Sequence, residues 1–191
     1  QVAAGVPLAG HTAWQALVEH GQIEQGQKVL IHGGTGGVGH FAVQFAKVKG
    51  AQVYATASTD SLPFLRELGA DRAIDYKTER FEDICKEFDL VIDLIGGDTQ
   101  ARSWQVLGEG GRLVSTLTMP DASHPQAAGK TGARFTAAPR GEELTEIAGL
   151  IEAGNVQIYI AKVFELDAAM QALDYLANEH VHGKVVLHIS D

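Results

Sequence analysis

The sequence predicts an α/β fold: a doubly wound parallel sheet of six strands, followed by a short C-terminal return segment. Three observations predict it. Short apolar runs alternate with stretches of helical periodicity between residues 28 and 154, and parallel neighbours need such crossovers. The run Asp89-Leu-Val-Ile-Asp-Leu-Ile95 is nearly unbroken, as suits a strand covered on both faces. A glycine-rich turn joins the first apolar run to the first long helix, as in the opening unit of such sheets.

The elements follow in order. A short helical N-terminal segment, residues 1–20, precedes the first strand at residues 28–32, Lys28-Val-Leu-Ile-His32. From Val38 the apolar Phe41, Ala42, Phe45 and Ala46 keep helical spacing until Gly50 stops them. Residues 52–57 read as the second strand, and a helix begins near Ser61 with Pro63 in its first turn and Leu62, Leu65 and Leu68 on one side. A third strand is expected near Ala73 and Ile74, then a polar helix, then the fourth strand at residues 89–95, ended by Gly96 and Gly97. A helix over 99–107 leads through Gly108 to Gly111 into a fifth strand at 112–117, and a sixth is expected at 134–137. Residues 119–131, rich in Pro, Ala, Gly and Ser, read as a mobile loop. A helix at 142–153 ends at Gly154. The return segment then runs strand 162–166, helix 167–177 and strand 184–189, with Asp167 as the helix N-cap and Met170, Leu173 and Leu176 as its apolar face.

Composition excludes several functions. The 191 residues carry a formal charge of −9, a field that repels phosphate backbones and anionic bilayers. No apolar run approaches the roughly 18 residues that span a bilayer, and no basic-then-apolar leader opens the chain, so a soluble, cytoplasmic protein is expected. The single Cys85 excludes an internal disulfide and any multi-cysteine zinc site. His180 and His182 are two ligands without a third, and they read as a solvated turn. No Tyr is followed four residues later by Lys, and no Gly-x-Ser-x-Gly elbow occurs.

The chemistry concentrates at Gly33-Gly-Thr-Gly-Gly-Val-Gly39, which read from Gly34 satisfies G-x-G-x-x-G between a strand and a helix. Glycines let the chain turn tightly, let the backbone approach a pyrophosphate, and let the helix pack on the strand. The N–H groups and the helix dipole then hold the anion. An NAD site would place a carboxylate at the end of the second strand; here stand Ala57, Ser58 and Thr59, whose hydroxyls leave room for a 2′-phosphate. Two function classes stay open: an NADPH-dependent reductase, and a non-catalytic nucleotide-binding or S-adenosylmethionine-binding module.

Several motifs together resemble one family. They are Val29 to Gly39, Ala55-Thr-Ala-Ser-Thr59, Glu67-Leu-Gly-Ala-Asp71, Ala73-Ile-Asp-Tyr76, Val91 to Gly97, Gly111-Arg-Leu-Val114 and His182-Gly-Lys-Val-Val186. They are similar to the zinc-independent quinone oxidoreductase and enone reductase branch of the medium-chain dehydrogenase/reductase superfamily. The resemblance implies a Rossmann domain over residues 21–154 and NADPH-dependent reduction of a quinone or a conjugated enone or alkenal. It also implies a homodimer through the edge of the last strands, and a catalytic lobe mostly outside this chain. Residues 1–20 and 155–191 would belong to that lobe, which would also hold most candidates for a proton donor. By motif, Gly34, Gly36, Gly37, Val38 and Gly39 would face the pyrophosphate. Ser58, Thr59 and Tyr76 would surround the adenosine ribose and its 2′-phosphate, with Ile95 and Gly96 beside the cofactor ribose. Thr116, Leu117, Thr12 and Lys184 would lie by the nicotinamide. The resemblance implies no metal: zinc-dependent relatives place a Cys near Leu8, and none is there.

Overall fold

The computed structural model describes residues 1–189. Helix α1 (Pro7–Gln15) precedes β1 (Lys28–His32), and the glycine turn carries the chain into α2 (Gly39–Val48). There follow β2 (Gln52–Ala57), α3 (Leu62–Glu67), β3 (Arg72–Asp75) and the single-turn α4 (Phe81–Ile84). Then come β4 (Phe88–Asp93), α5 (Gly97–Ser103), β5 (Leu107–Ser115), β6 (Thr131–Arg134) and α6 (Gly141–Glu152). These strands form one six-stranded parallel sheet, in the order β3-β2-β1-β4-β5-β6. The chain changes direction across the sheet between β1 and β4, and a crevice opens at their C-terminal ends.

The unbroken apolar runs are explained by burial on both faces. Val29, Ile31, Leu90, Ile92 and Val114 point into one core with Trp14, Phe41, Phe45 and Ile147 from the covering helices. Their sequence neighbours Leu30, Val91 and Leu113 point into the other, with Phe81, Trp104 and Val106. Alternation is therefore present, but both sides of it are apolar.

Several boundaries differ from the expectation. Strand β4 ends at Asp93 rather than residue 95, because Asp93 turns its carboxylate onto the Ile95 and Gly96 N–H groups and ends the pairing. Helix α5 stops at Ser103, and β5 starts at Leu107, running through the glycines. Backbone pairing there needs no side chains, and the register shifts between Phe88 and Leu90 where the glycines pass. The sixth strand lies at Thr131–Arg134 instead of 134–137; Phe135, just beyond it, stacks on His20 at 4.3 Å. The 119–131 segment is not wholly loose, since it contains the turn Pro125–Ala127 and buries Ala127 in the second core.

The return segment forms a separate sheet in which β7 (Ile160–Glu165) pairs in parallel with β8 (Lys184–His188), joined by α7 (Ala169–Asn178). Asp167 does not cap α7: it sits inside the short turn Leu166–Ala168 and Ala168 takes the cap position. Met170, Leu173 and Leu176 form an apolar face that stands exposed. The N-terminal turn packs on this small sheet, with Gly5 against Ile160. Among the described residues no helix is long and apolar enough to cross a membrane.

Candidate functional site

A cleft of about 850 Å³ opens at the C-terminal ends of the strands, at the crevice beside β1 and β4. Gly36, Gly37, Val38 and Gly39 form one wall, and Ser58, Tyr76, Ile95 and Thr116 border it further along. The other residues expected there do not border it. Gly34 turns into the core, its N–H donating to the Thr56 carbonyl at 3.1 Å. Thr59 donates its hydroxyl to Asp75 at 2.6 Å, and Thr12 donates to the Leu8 carbonyl at 2.7 Å inside α1. Leu117 packs over Gly96, whose N–H donates to Asp93 at 2.8 Å. Lys184 lays its stem on Gly37, where an added Cβ would meet Lys184 Cδ at 2.9 Å.

The glycine turn is built to leave donors unused. A Cβ at Gly39 would overlap the Gly33 carbonyl oxygen, so α2 can start this close to β1 only with glycine there. Among the described residues no backbone carbonyl accepts from the N–H of Gly37, Val38 or Gly39. Those groups and the first turn of α2 turn a positive end toward the cleft.

Behind the turn, a hydrogen-bonded relay sets its shape. Ser103 donates its one hydroxyl proton to the Thr99 carbonyl at 2.7 Å, so its oxygen accepts from His32 Nε2 at 3.0 Å. The other ring nitrogen, Nδ1, then accepts from Thr56 Oγ1 at 3.3 Å, and that oxygen accepts from the Gly33 N–H at 3.2 Å. Every group is satisfied only with a neutral imidazole, and burial pushes His32 down to about 4. His40, on the first turn of α2, is likewise pushed down by burial to about 4, with Nδ1 3.0 Å from the Gly36 carbonyl. The buried Asp93 accepts from Gln100 Nε2 and Ser115 Oγ at 2.9 Å each, which pins the loop carrying Ile95 and Gly96.

Sequence reasoning missed the cations of the cleft. Arg80 and Arg102 border it, although the nearest basic residue in sequence to the β2 turn is Arg66. Both pair with the buried Glu82, Arg102 at 2.7 Å and Arg80 at 3.3 Å. Burial alone would raise the Glu82 carboxyl, and the two guanidiniums overcome that and hold it below the usual range. The only advance signal was the Arg80-x-Glu82 spacing, which had no visible target. His182 was also misread: it is not a solvated turn residue but stacks on Phe64, with Nε2 2.7 Å from Ser61 Oγ. Cys85 is buried, and burial pushes its thiol up to about 12. Among the described residues no group of three or more His, Cys, Asp or Glu side chains gathers in a way that could hold a metal.

Comparison with known proteins places this geometry in context. Residues 68–187 match a family model described as zinc-binding dehydrogenase. The chain is 40% identical over 190 residues to a 2-methylene-furan-3-one reductase of Solanum lycopersicum, covering 97% of this chain and 46% of that protein. It is 38% identical to the NADPH-dependent alkenal/one oxidoreductase, chloroplastic, of Arabidopsis thaliana, again covering 46% of the relative. The chain thus spans about half the length of these curated relatives. Among solved structures, a quinone oxidoreductase from Coxiella burnetii superposes with a TM-score of 0.91 at 38% identity, over 98% of this chain and 60% of that one.

Proposed function

This chain belongs to the zinc-binding dehydrogenase family of the medium-chain dehydrogenase/reductase superfamily, and from that premise we propose that its cleft binds NADPH for the reduction of quinones or of double bonds conjugated to a carbonyl. The observation that carries this reading is the wall of three N–H groups at Gly37, Val38 and Gly39 without a backbone acceptor among the described residues, in a cleft whose other end holds Ser58, Tyr76, Arg80 and Glu79, the last neutralised by Arg72 at 2.6 Å, and no carboxylate from the end of β2. The N–H groups would take the pyrophosphate, and the hydroxyls with Arg80 the 2′-phosphate. Ile95 and Thr116 would flank the nicotinamide half, and Lys184, lying on Gly37, would sit by the glycine turn; Thr12, Gly96 and Leu117, which do not border the cleft, are given no contact with the cofactor in this reading. A bound nicotinamide supplies the hydride; the chain's own part is to hold it and keep water away.

Residues 21–154 are the cofactor-binding domain in this reading, while residues 1–20 and 155–191 belong with a catalytic lobe that supplies the other wall of the cleft. The packing of Gly5 on Ile160 and the exposed face of α7 support that division. The chain by itself is therefore expected to bind cofactor but to turn over 9,10-phenanthrenequinone or an alkenal poorly. Acceptor placement in a water-poor cleft can be worth roughly 7 to 11 kcal/mol of barrier. Two copies are expected to pair along the edge strand β6.

A thermal-shift comparison of NADPH, NADH and S-adenosylmethionine tests the cofactor reading. At 100 times its Kd, NADPH should stabilise by about 2.7 kcal/mol, a rise of roughly 5 to 10 °C for a chain of this size. A shift with S-adenosylmethionine and none with NADPH would reject it.

A further inference from the structure

The return segment closes the cleft beside the β2 turn, and it brings a histidine there. Gly183 reverses the chain with φ 77°, and a Cβ at that position would overlap the Tyr159 carbonyl oxygen. Its N–H donates to the Thr35 carbonyl at 3.0 Å, and the Lys184 N–H donates to the Tyr159 carbonyl at 2.8 Å. Residue 182 is thereby fixed between the glycine turn and α3. The His182 ring stacks on Phe64 with 4.6 Å between centroids and 13° between planes. Its Nε2 lies 2.7 Å from Ser61 Oγ, which lies 3.0 Å from Ser58 Oγ. Ser58 and Ser61 are almost closed to solvent, yet both border the cleft.

These three groups form a chain with two polarities, because each hydroxyl has one proton to donate. When Nε2 accepts from Ser61, Ser61 in turn accepts from Ser58. Unless the bond between the serines is given up, Ser58 then shows the cleft only lone pairs. When Nε2 carries a proton, it donates to Ser61, Ser61 donates to Ser58, and the Ser58 proton is free to point into the cleft. Only this second polarity offers an anion a donor. An imidazolium has no other choice, since both of its nitrogens donate.

Resting on the reading of the cleft as an NADPH site, we propose that His182 sets the donor direction of the Ser61–Ser58 chain and so selects a 2′-phosphate over a bare 2′-hydroxyl. His182 is a positioning residue here: Ser58 meets the ligand, and His182 acts on it through Ser61. From the far end of the chain it turns the Ser58 proton toward the cleft. Arg80, held only on a mostly exposed side chain, adds charge but not a fixed donor direction.

The test is calorimetric titration of the chain with adenosine 2′,5′-bisphosphate and with adenosine 5′-monophosphate, for the unmodified protein, His182→Phe and His182→Gln. Phe keeps the stack on Phe64 and removes the donor; the Gln amide restores a donor. The expected result is a preference for the bisphosphate that falls on the order of ten-fold or more in His182→Phe and returns largely in His182→Gln. A ratio of affinities unchanged in His182→Phe, including equal weakening of both ligands, would overturn the proposal, as would an equal fall in both variants. If the unmodified chain shows no preference, the NADPH reading falls and this inference with it. A preference that survives in His182→Phe removes the inference alone.

Discussion

At the scale of single residues, the site depends on groups whose neighbours leave them one option. Gly39 is the sharpest case, because any side chain there would overlap the Gly33 carbonyl. Gly39→Ala is expected to destabilise the chain by about 3 kcal/mol or more, read as a fall in the urea midpoint, since neither backbone can move without lifting α2 off β1. His32 and His40 supply a pH dependence. Both are pushed down by burial to about 4 from an ordinary 6.5. Between those values the unfolded chain binds protons that the folded chain does not, so stability falls as pH falls from about 6.5 to about 4, and does not change on this account above 6.5. The slope should be on the order of 1 kcal/mol per pH unit for each histidine. Urea titrations across that range should show it, with His32→Asn removing about half; a flat profile would mean that these rings are charged in the folded state.

At the scale of elements, helix α7 and strand β6 are the parts that the packing leaves open. Met170 is 70% and Leu173 59% exposed, so Met170→Glu and Leu173→Glu are expected to change the stability of this chain by no more than about 0.5 kcal/mol. A large loss in either, measured by thermal unfolding, would show that α7 is buried against something in solution. Strand β6 ends the sheet with an unpaired edge, and such edges invite a two-fold partner. Light scattering at micromolar concentration is expected to give twice the monomer mass. The same elements show what the sequence could not carry. Strands β1 and β4 were legible because each is an apolar run buried on both faces and followed by glycine, and β2 because its short mostly apolar stretch lies between Gly50 and the Ser58 turn. β6 was misplaced because an edge strand of Thr131, Gly132, Ala133 and Arg134 has almost no apolar signal, while Phe135 beside it has a strong one. Asp167 has a good capping residue's chemistry, but the chain makes a short turn first and leaves it outside the helix.

At the scale of the whole molecule, the cleft joins segments far apart in sequence, which explains why only half of it could be foreseen. The glycine turn and Ser58 are local signals carried by residue type and spacing. Arg80, Arg102 and His182 reach the cleft through tertiary contacts, His182 across 121 residues to Ser61, and nothing in their local sequence marks the destination. In the proposed reading, recognition of the anionic end rests on parts present here. The cofactor preference is therefore the property this chain should show unaided. Calorimetric titration with NADPH and NADH, on the unmodified chain and on Ser58→Asp, tests it most directly. NADPH should bind more tightly to the unmodified chain, and Ser58→Asp should shift the preference toward NADH by on the order of ten-fold or more through like-charge repulsion. Binding of NADH as tight as or tighter than NADPH by the unmodified chain would contradict it.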